Sequence, residues 1–144
     1  MSDDDPYQLN RFVAAQRDTY ALALNEIRSG LKQSHWMWFI FPQIDGLGSS
    51  PTARHYAIKS RDEAAAYLQH PVLGARLLEC AAAALATGKR SAVAVFGSPD
   101  NLKLRSSATL FAAVAPKGSV FERVLEHYFN GQSDQRTLDL LSAR

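Results

Sequence analysis

Ten consecutive residues, Ser34-His35-Trp36-Met37-Trp38-Phe39-Ile40-Phe41-Pro42-Gln43, hold both tryptophans of the chain and four aromatic side chains between positions 36 and 41. Flat rings beside amide and imidazole groups are what a pocket for a planar heterocycle uses, with faces to stack on and polar groups for the ring edge. A buried indole nitrogen needs an acceptor. Trp36 and Trp38 are therefore ligand-binding candidates, with His35 and Gln43 bracketing them. Phe39, Ile40 and Phe41 read as core anchors.

The loop Gln43-Ile44-Asp45-Gly46-Leu47-Gly48-Ser49-Ser50-Pro51 follows. Backbone N–H groups at Gly48 and Ser50 can approach an anion ahead of a helix start, and Arg54 can add a bidentate grip on phosphate or carboxylate. The glycine spacing matches neither the mononucleotide P-loop nor the dinucleotide fingerprint. A third stretch, Phe96-Gly97-Ser98-Pro99-Asp100-Asn101-Leu102-Lys103-Leu104-Arg105-Ser106-Ser107, sets Asp100 and Lys103 three apart on a helix. Exposed, they are an ordinary pair. Partly buried, Asp100 would act as general base and Lys103 as its charge partner or an anion clamp. Asp100 and Asp45 are the acids adjacent to this proposed site. Ser106 and Ser107, poor helix formers in mid-helix, are explained by close packing or by a ligand. No histidine-acid partner makes either one a nucleophile.

The four histidines show no metal-ligand spacing, and the single cysteine, Cys80, reads as buried packing. No metal site and no cofactor is expected. A net charge of +2, from 16 basic and 14 acidic side chains, gives no support to a DNA or RNA partner. No apolar run reaches the roughly 20 residues a bilayer crossing needs, and the acidic start is unlike a signal peptide. A soluble cytoplasmic protein is expected, with no membrane contact.

These candidates need elements to position them. Residues 1–6 read as a disordered acidic tail and residues 7–144 as one globular domain, large enough to bury its own core. Leu9, Phe12, Val13, Gln16, Tyr20, Ala23, Leu24, Ile27 and Leu31 form a stripe predicting a long helix over 8–29, closed by Gly30. The aromatic run fits either a buried strand or one or two helical turns. Helices follow over 51–57, 61–68, 71–87, 99–115, 119–131 and 136–141, with 91–96 more easily helix than strand. The alanine-rich 71–87 segment is expected at the centre. The fold class is all-α, a compact bundle of about six to eight helices.

The string from Ser34 to Gln43, then Gly46-Leu47-Gly48-Ser49-Ser50, Tyr56, Phe96-Gly97 through Asp100 and Lys103, and Ser106-Ser107 with Thr109-Leu110-Phe111, resembles the bacterial and fungal family called domain of unknown function 1810, sometimes labelled calpastatin-like. The resemblance covers nearly the whole chain and implies a small helical fold with no established activity. Ala108 stands where that pattern has methionine, a change of packing. Tyr56 and Ser106-Ser107 join the ligand-binding candidates on this pattern. More distantly, Tyr56-x-x-Lys59 and Asp100-x-x-Lys103 look like the YbiA-like N-glycosidases, which act on a ribose–nitrogen bond. The acid those proteins carry ahead of the tyrosine helix is His55 here.

Two functions are expected from these residues. One is binding or hydrolysis of a phosphorylated ribosyl or nucleotide-like ligand such as ADP-ribose, with the tryptophans stacking, Arg54 and the loop holding phosphate, and Asp100 with Lys103 at the ribose. The other is a non-catalytic protein-interaction domain, in which no cleft joins Trp36, Arg54 and Asp100.

Overall fold

The computed structural model describes residues 5–144. Among these, ten helices follow one another: α1 (Asn10–Gln16), α2 (Tyr20–Ser29), α3 (Met37–Ile40), α4 (Pro51–His55), α5 (Arg61–Gln69), α6 (Leu73–Leu85), α7 (Ala92–Phe96), α8 (Asp100–Ala112), α9 (Val120–Phe129) and α10 (Gln135–Ser142). The fold is mainly helical, and among the described residues the one extended pairing is an isolated parallel bridge, Ile44 with Ile58. The acidic tail expected over 1–6 lies, in its first four residues, outside the described ones. Asp5 accepts the N–H groups of Leu9 and Asn10 at 2.7 and 3.0 Å.

The count exceeds the expected six to eight for two reasons. The stripe over 8–29 is two helices, interrupted at Arg17-Asp18-Thr19, where Asp and Thr favour local side-chain hydrogen bonding over helix. The break lets α1 pack against α3 while α2 packs against α6. The aromatic run contributes one helical turn, α3, in place of a strand. Gly30 closes α2 at φ +77°, as its position predicts, so Leu31 leaves the stripe and stands exposed.

The centre is α8, not α6. On α6 the buried residues Leu73, Leu77, Cys80, Ala81 and Ala84 recur at three- and four-residue steps, while Leu78 and Ala82 face outward. That is an amphipathic helix with one inner face. On α8 six consecutive residues, Ser106 to Phe111, are buried, which requires neighbours all round. It packs against α5, α7, α9 and α10. Burial pushes the Cys80 thiol up to about 12, leaving it protonated as a small hydrophobe.

The serine caps hold as predicted: Ser50, Ser60 and Ser119 accept from Ala53, Glu63 and Glu122 N–H. Ser91 likewise accepts from Ala94 N–H, which makes 91–96 a helix. Glu63 departs from a simple capping box. Its carboxylate accepts from Lys59 N–H at 2.9 Å and from Arg11 Nη2 at 2.7 Å. The same guanidinium donates to the carbonyls of His55 and Ala57 at 2.8 and 2.9 Å. Arg11 thus pins the segment carrying Tyr56 against α1.

Candidate functional site

A cleft of about 530 Å³ opens between the loop 43–50, the α4 turn, one face of α8 and the start of α10. That size is ordinary for a small-molecule site. The α8 wall consists of Pro99, Leu102, Lys103, Arg105 and Ser106. Positions 99, 102, 103 and 106 follow the helical i, i+3, i+4, i+7 stripe, and this is how one helix presents several groups to one space.

The opposite wall depends on the loop staying folded back. Asp45 N–H donates to Ile58 O and Ile58 N–H to Gln43 O, each at 2.8 Å, closing the loop at its base. From the chain end, Arg136 donates to Gly46 O at 3.2 Å and Arg144 to Asp45 O at 2.8 Å. Gly48 packs so closely on α4 that an added Cβ would lie 2.7 Å from the Ala53 Cβ. Tyr56 is wedged by rings, with centroids 5.8 Å from Phe12 and 5.4 Å from Phe39.

The structure brings seven of the twelve predicted residues into the cleft: Trp38, Gln43, Gly48, Ser50, Tyr56, Lys103 and Ser106. The other five lie elsewhere, each for a local reason. Trp36 is the N-cap of α3, with non-helical backbone angles, while Trp38 lies inside the turn, and the two side chains enter different surroundings. Trp36 is fully buried and donates its indole N–H to Glu26 Oε1 at 2.9 Å. His35 is exposed, one residue before the turn. Arg54 is exposed and folds back, its Nε donating to Ser49 O at 2.9 Å. The α4 helix has only five residues, too short to act as an anion-binding dipole. Ser107, 100° round α8 from Ser106, is buried, and its hydroxyl has no partner.

Asp100 is the fifth. It sits between two cations, Lys32 at 2.8 Å and Lys103 at 3.3 Å, and does not line the cleft. Each lysine also lies over a tryptophan: Lys32 Nζ is 4.9 Å from the Trp36 ring and Lys103 Nζ 4.8 Å from the Trp38 ring. Asp100 is therefore a charge partner to two lysines rather than a group facing the cleft. Asp45 is occupied by Lys59 and Arg144 at 3.7 and 3.6 Å.

Two cleft residues escaped the sequence reading. Arg105 lines the cleft with a buried Nε that has no hydrogen-bond partner. Asp134, just before α10, is the one acid on the wall among the described residues. Its Oδ2 accepts from the hydroxyls of Ser106 at 2.8 Å and Thr137 at 2.5 Å. Arg105 was readable from its place beside Leu102 and Ser106 on the same helix. Asp134 was not, because a Ser-Asp pair before a helix reads as a cap and it meets Ser106 from 28 residues away.

Two aromatic side chains, Trp38 and Tyr56, and two cationic ones, Lys103 and Arg105, thus line one cleft. Among the described residues no group of His, Cys, Asp and Glu is arranged to hold a metal ion. No described helix is long and apolar enough to cross a membrane.

No curated protein matches the chain. Among solved structures it is similar to the conserved hypothetical protein Rv1873 from Mycobacterium tuberculosis, with 49% identity, a TM-score of 0.94, and coverage of 96% of this chain and 99% of that one. The family described as "Protein of unknown function (DUF1810)" matches residues 6–141, from ahead of α1 into the last turn of α10, and the chain belongs to that family.

Proposed function

We propose that the cleft binds a phosphorylated ribosyl or nucleotide-like ligand, its ring against Trp38 and Tyr56 and its phosphate against Lys103 and Arg105. One observation carries the reading: two aromatic and two cationic side chains share a single cleft whose wall, among the described residues, has one acid. Base–aromatic stacking and charge-assisted bonds to phosphate supply affinity independently of each other. The hydrolytic form of the reading passes from Asp100 to Asp134, since stabilising an oxocarbenium-like centre requires a carboxylate at the ligand. The protein-interaction reading has less behind it, because the exposed large apolar residues are scattered over several elements and single exposed apolar side chains need no partner.

The test is tryptophan fluorescence during titration with AMP and with ADP-ribose. A saturable change is expected in the native chain and in Trp36→Phe, and is expected to vanish in Trp38→Phe. Silence toward both ligands overturns the reading. A response that survives in Trp38→Phe relocates the ligand.

A further inference from the structure

We infer that Asp134, through its Oδ1, is the cleft's acceptor for a ligand hydroxyl, and that it makes the site selective for an intact ribose diol over its deoxygenated counterpart. This rests on the reading of the cleft as a nucleotide-like site.

The side chain is held in place by bonds to only one of its oxygens. Ser106 and Thr137 both donate to Oδ2, at 2.8 and 2.5 Å. The Ser106 hydroxyl also lies 3.2 Å from Leu102 O, but it has one proton, and the shorter, charge-assisted contact takes it. The backbone N–H of Asp134 donates to Thr109 Oγ1 at 2.9 Å, and that hydroxyl donates to Arg105 O at 2.8 Å. Position and rotamer are thereby set before any ligand arrives, as a recognition group requires.

Oδ1 is different. Its one charged neighbour is Arg105 Nη2 at 3.9 Å, an ion-pair distance beyond hydrogen-bond reach. A carboxylate accepts up to about four hydrogen bonds, so Oδ1 retains capacity on the wall of the cleft. An ionised carboxylate only accepts, and what it reads must therefore donate. Lys103 and Arg105 on the same wall oppose a cationic amine. Neutral donors remain, and a ribose linking ring to phosphate brings two hydroxyls within one sugar. A site built to bond a hydroxyl rejects the analogue lacking it, because such a ligand strips water from the acceptor and leaves it unpaired.

The test is calorimetric titration with AMP and with 2′,3′-dideoxy-AMP, on the native chain and on Asp134→Asn. Asparagine keeps a carbonyl to accept from Ser106 and Thr137 while turning a donor toward the cleft. The native chain should prefer AMP by about ten-fold or more, and the variant should bind both ligands alike. A residue that merely holds the cleft together would lower both affinities by one factor in the variant, and that outcome overturns the inference. Equal native affinities overturn it too, and leave the nucleotide reading standing. No binding of AMP overturns it, and silence toward ADP-ribose as well removes the nucleotide reading with it. Should Asp134→Asn not fold, Asp134→Ser keeps a capping hydroxyl at the start of α10, and the same loss of preference is required of it.

Discussion

Trp36 donates its indole N–H to Glu26 Oε1 at 2.9 Å, and this bond joins the aromatic stretch to α2 inside the core. Glu26 also accepts from Gln33 N–H, Ser34 N–H and the Ser34 hydroxyl at 2.9, 2.9 and 2.6 Å. Four donors on one carboxylate fold the chain back after Gly30 and deliver α3 to its place.

The balance of forces at Glu26 has a measurable consequence. Burial pushes its carboxyl up, but the hydrogen bonds from Ser34, Gln33 and Trp36 outweigh that and hold it at about 2. A folded-state value below the unfolded one stabilises the protein above the unfolded value, and the contribution is lost as pH falls toward the folded value. It is therefore complete above about pH 5 and disappears toward pH 2. Glu26→Gln sets an amide against donors and should cost roughly 2–3 kcal/mol at neutral pH. The melting temperatures of the two proteins, compared across this range, should converge as pH falls. A constant gap would show that ionisation is not what stabilises the loop.

Where spacing carried the information, the sequence was legible. The serine caps and Gly30 follow from local patterns. Two of the misplacements come from neighbours in sequence that the start or turn of a helix sends to different sides. Trp36 and Trp38 look like a pair in a linear string but diverge where the chain enters α3, and Ser106 and Ser107 diverge by about 100° around α8. Composition misled at α6, whose alanines suggest a centre that α8 occupies. Arg11 and Asp134 act through partners 44 or more and 28 residues away respectively, and no local pattern contains that.

Asp100 offers a test of role. Lys32, almost fully buried, has Asp100 at 2.8 Å, the Ser34 carbonyl at 2.5 Å and the Trp36 face. Asp100→Asn leaves that cation short of its counter-charge and should cost about 2–3 kcal/mol, less than a fully orphaned buried charge. AMP affinity should change little, because Asp100 does not line the cleft. Chemical denaturation paired with calorimetry measures both, and a large loss of affinity with unchanged stability would return Asp100 to the site.

Ser107 makes the opposite prediction. Its hydroxyl is buried without a partner, and an unmade hydrogen bond costs free energy that an apolar side chain avoids. Ser107→Ala should leave the protein as stable or more so, by up to about 1 kcal/mol, with AMP affinity unchanged. A destabilised variant in a urea titration would mean that the hydroxyl is satisfied in solution, by water or by a rotated neighbour.

Lys103 separates binding from folding most cleanly. Its side chain is 26% exposed, with Nζ 3.3 Å from Asp100 and 4.8 Å from the Trp38 ring. The pair is partly buried but Asp100 has a second cation in Lys32, so Lys103→Gln should shift stability by no more than about 1 kcal/mol. Asp100 keeps Lys32, and nothing buried is orphaned. The ligand phosphate, however, loses a charge-assisted donor, worth about ten-fold in affinity. The salt dependence of AMP binding should fall as well, since one of two cations facing the phosphate is gone. Titrations of both proteins at low and high salt give both quantities. Equal affinity with equal salt slope would take Lys103 out of the phosphate site and leave Arg105 to hold it alone.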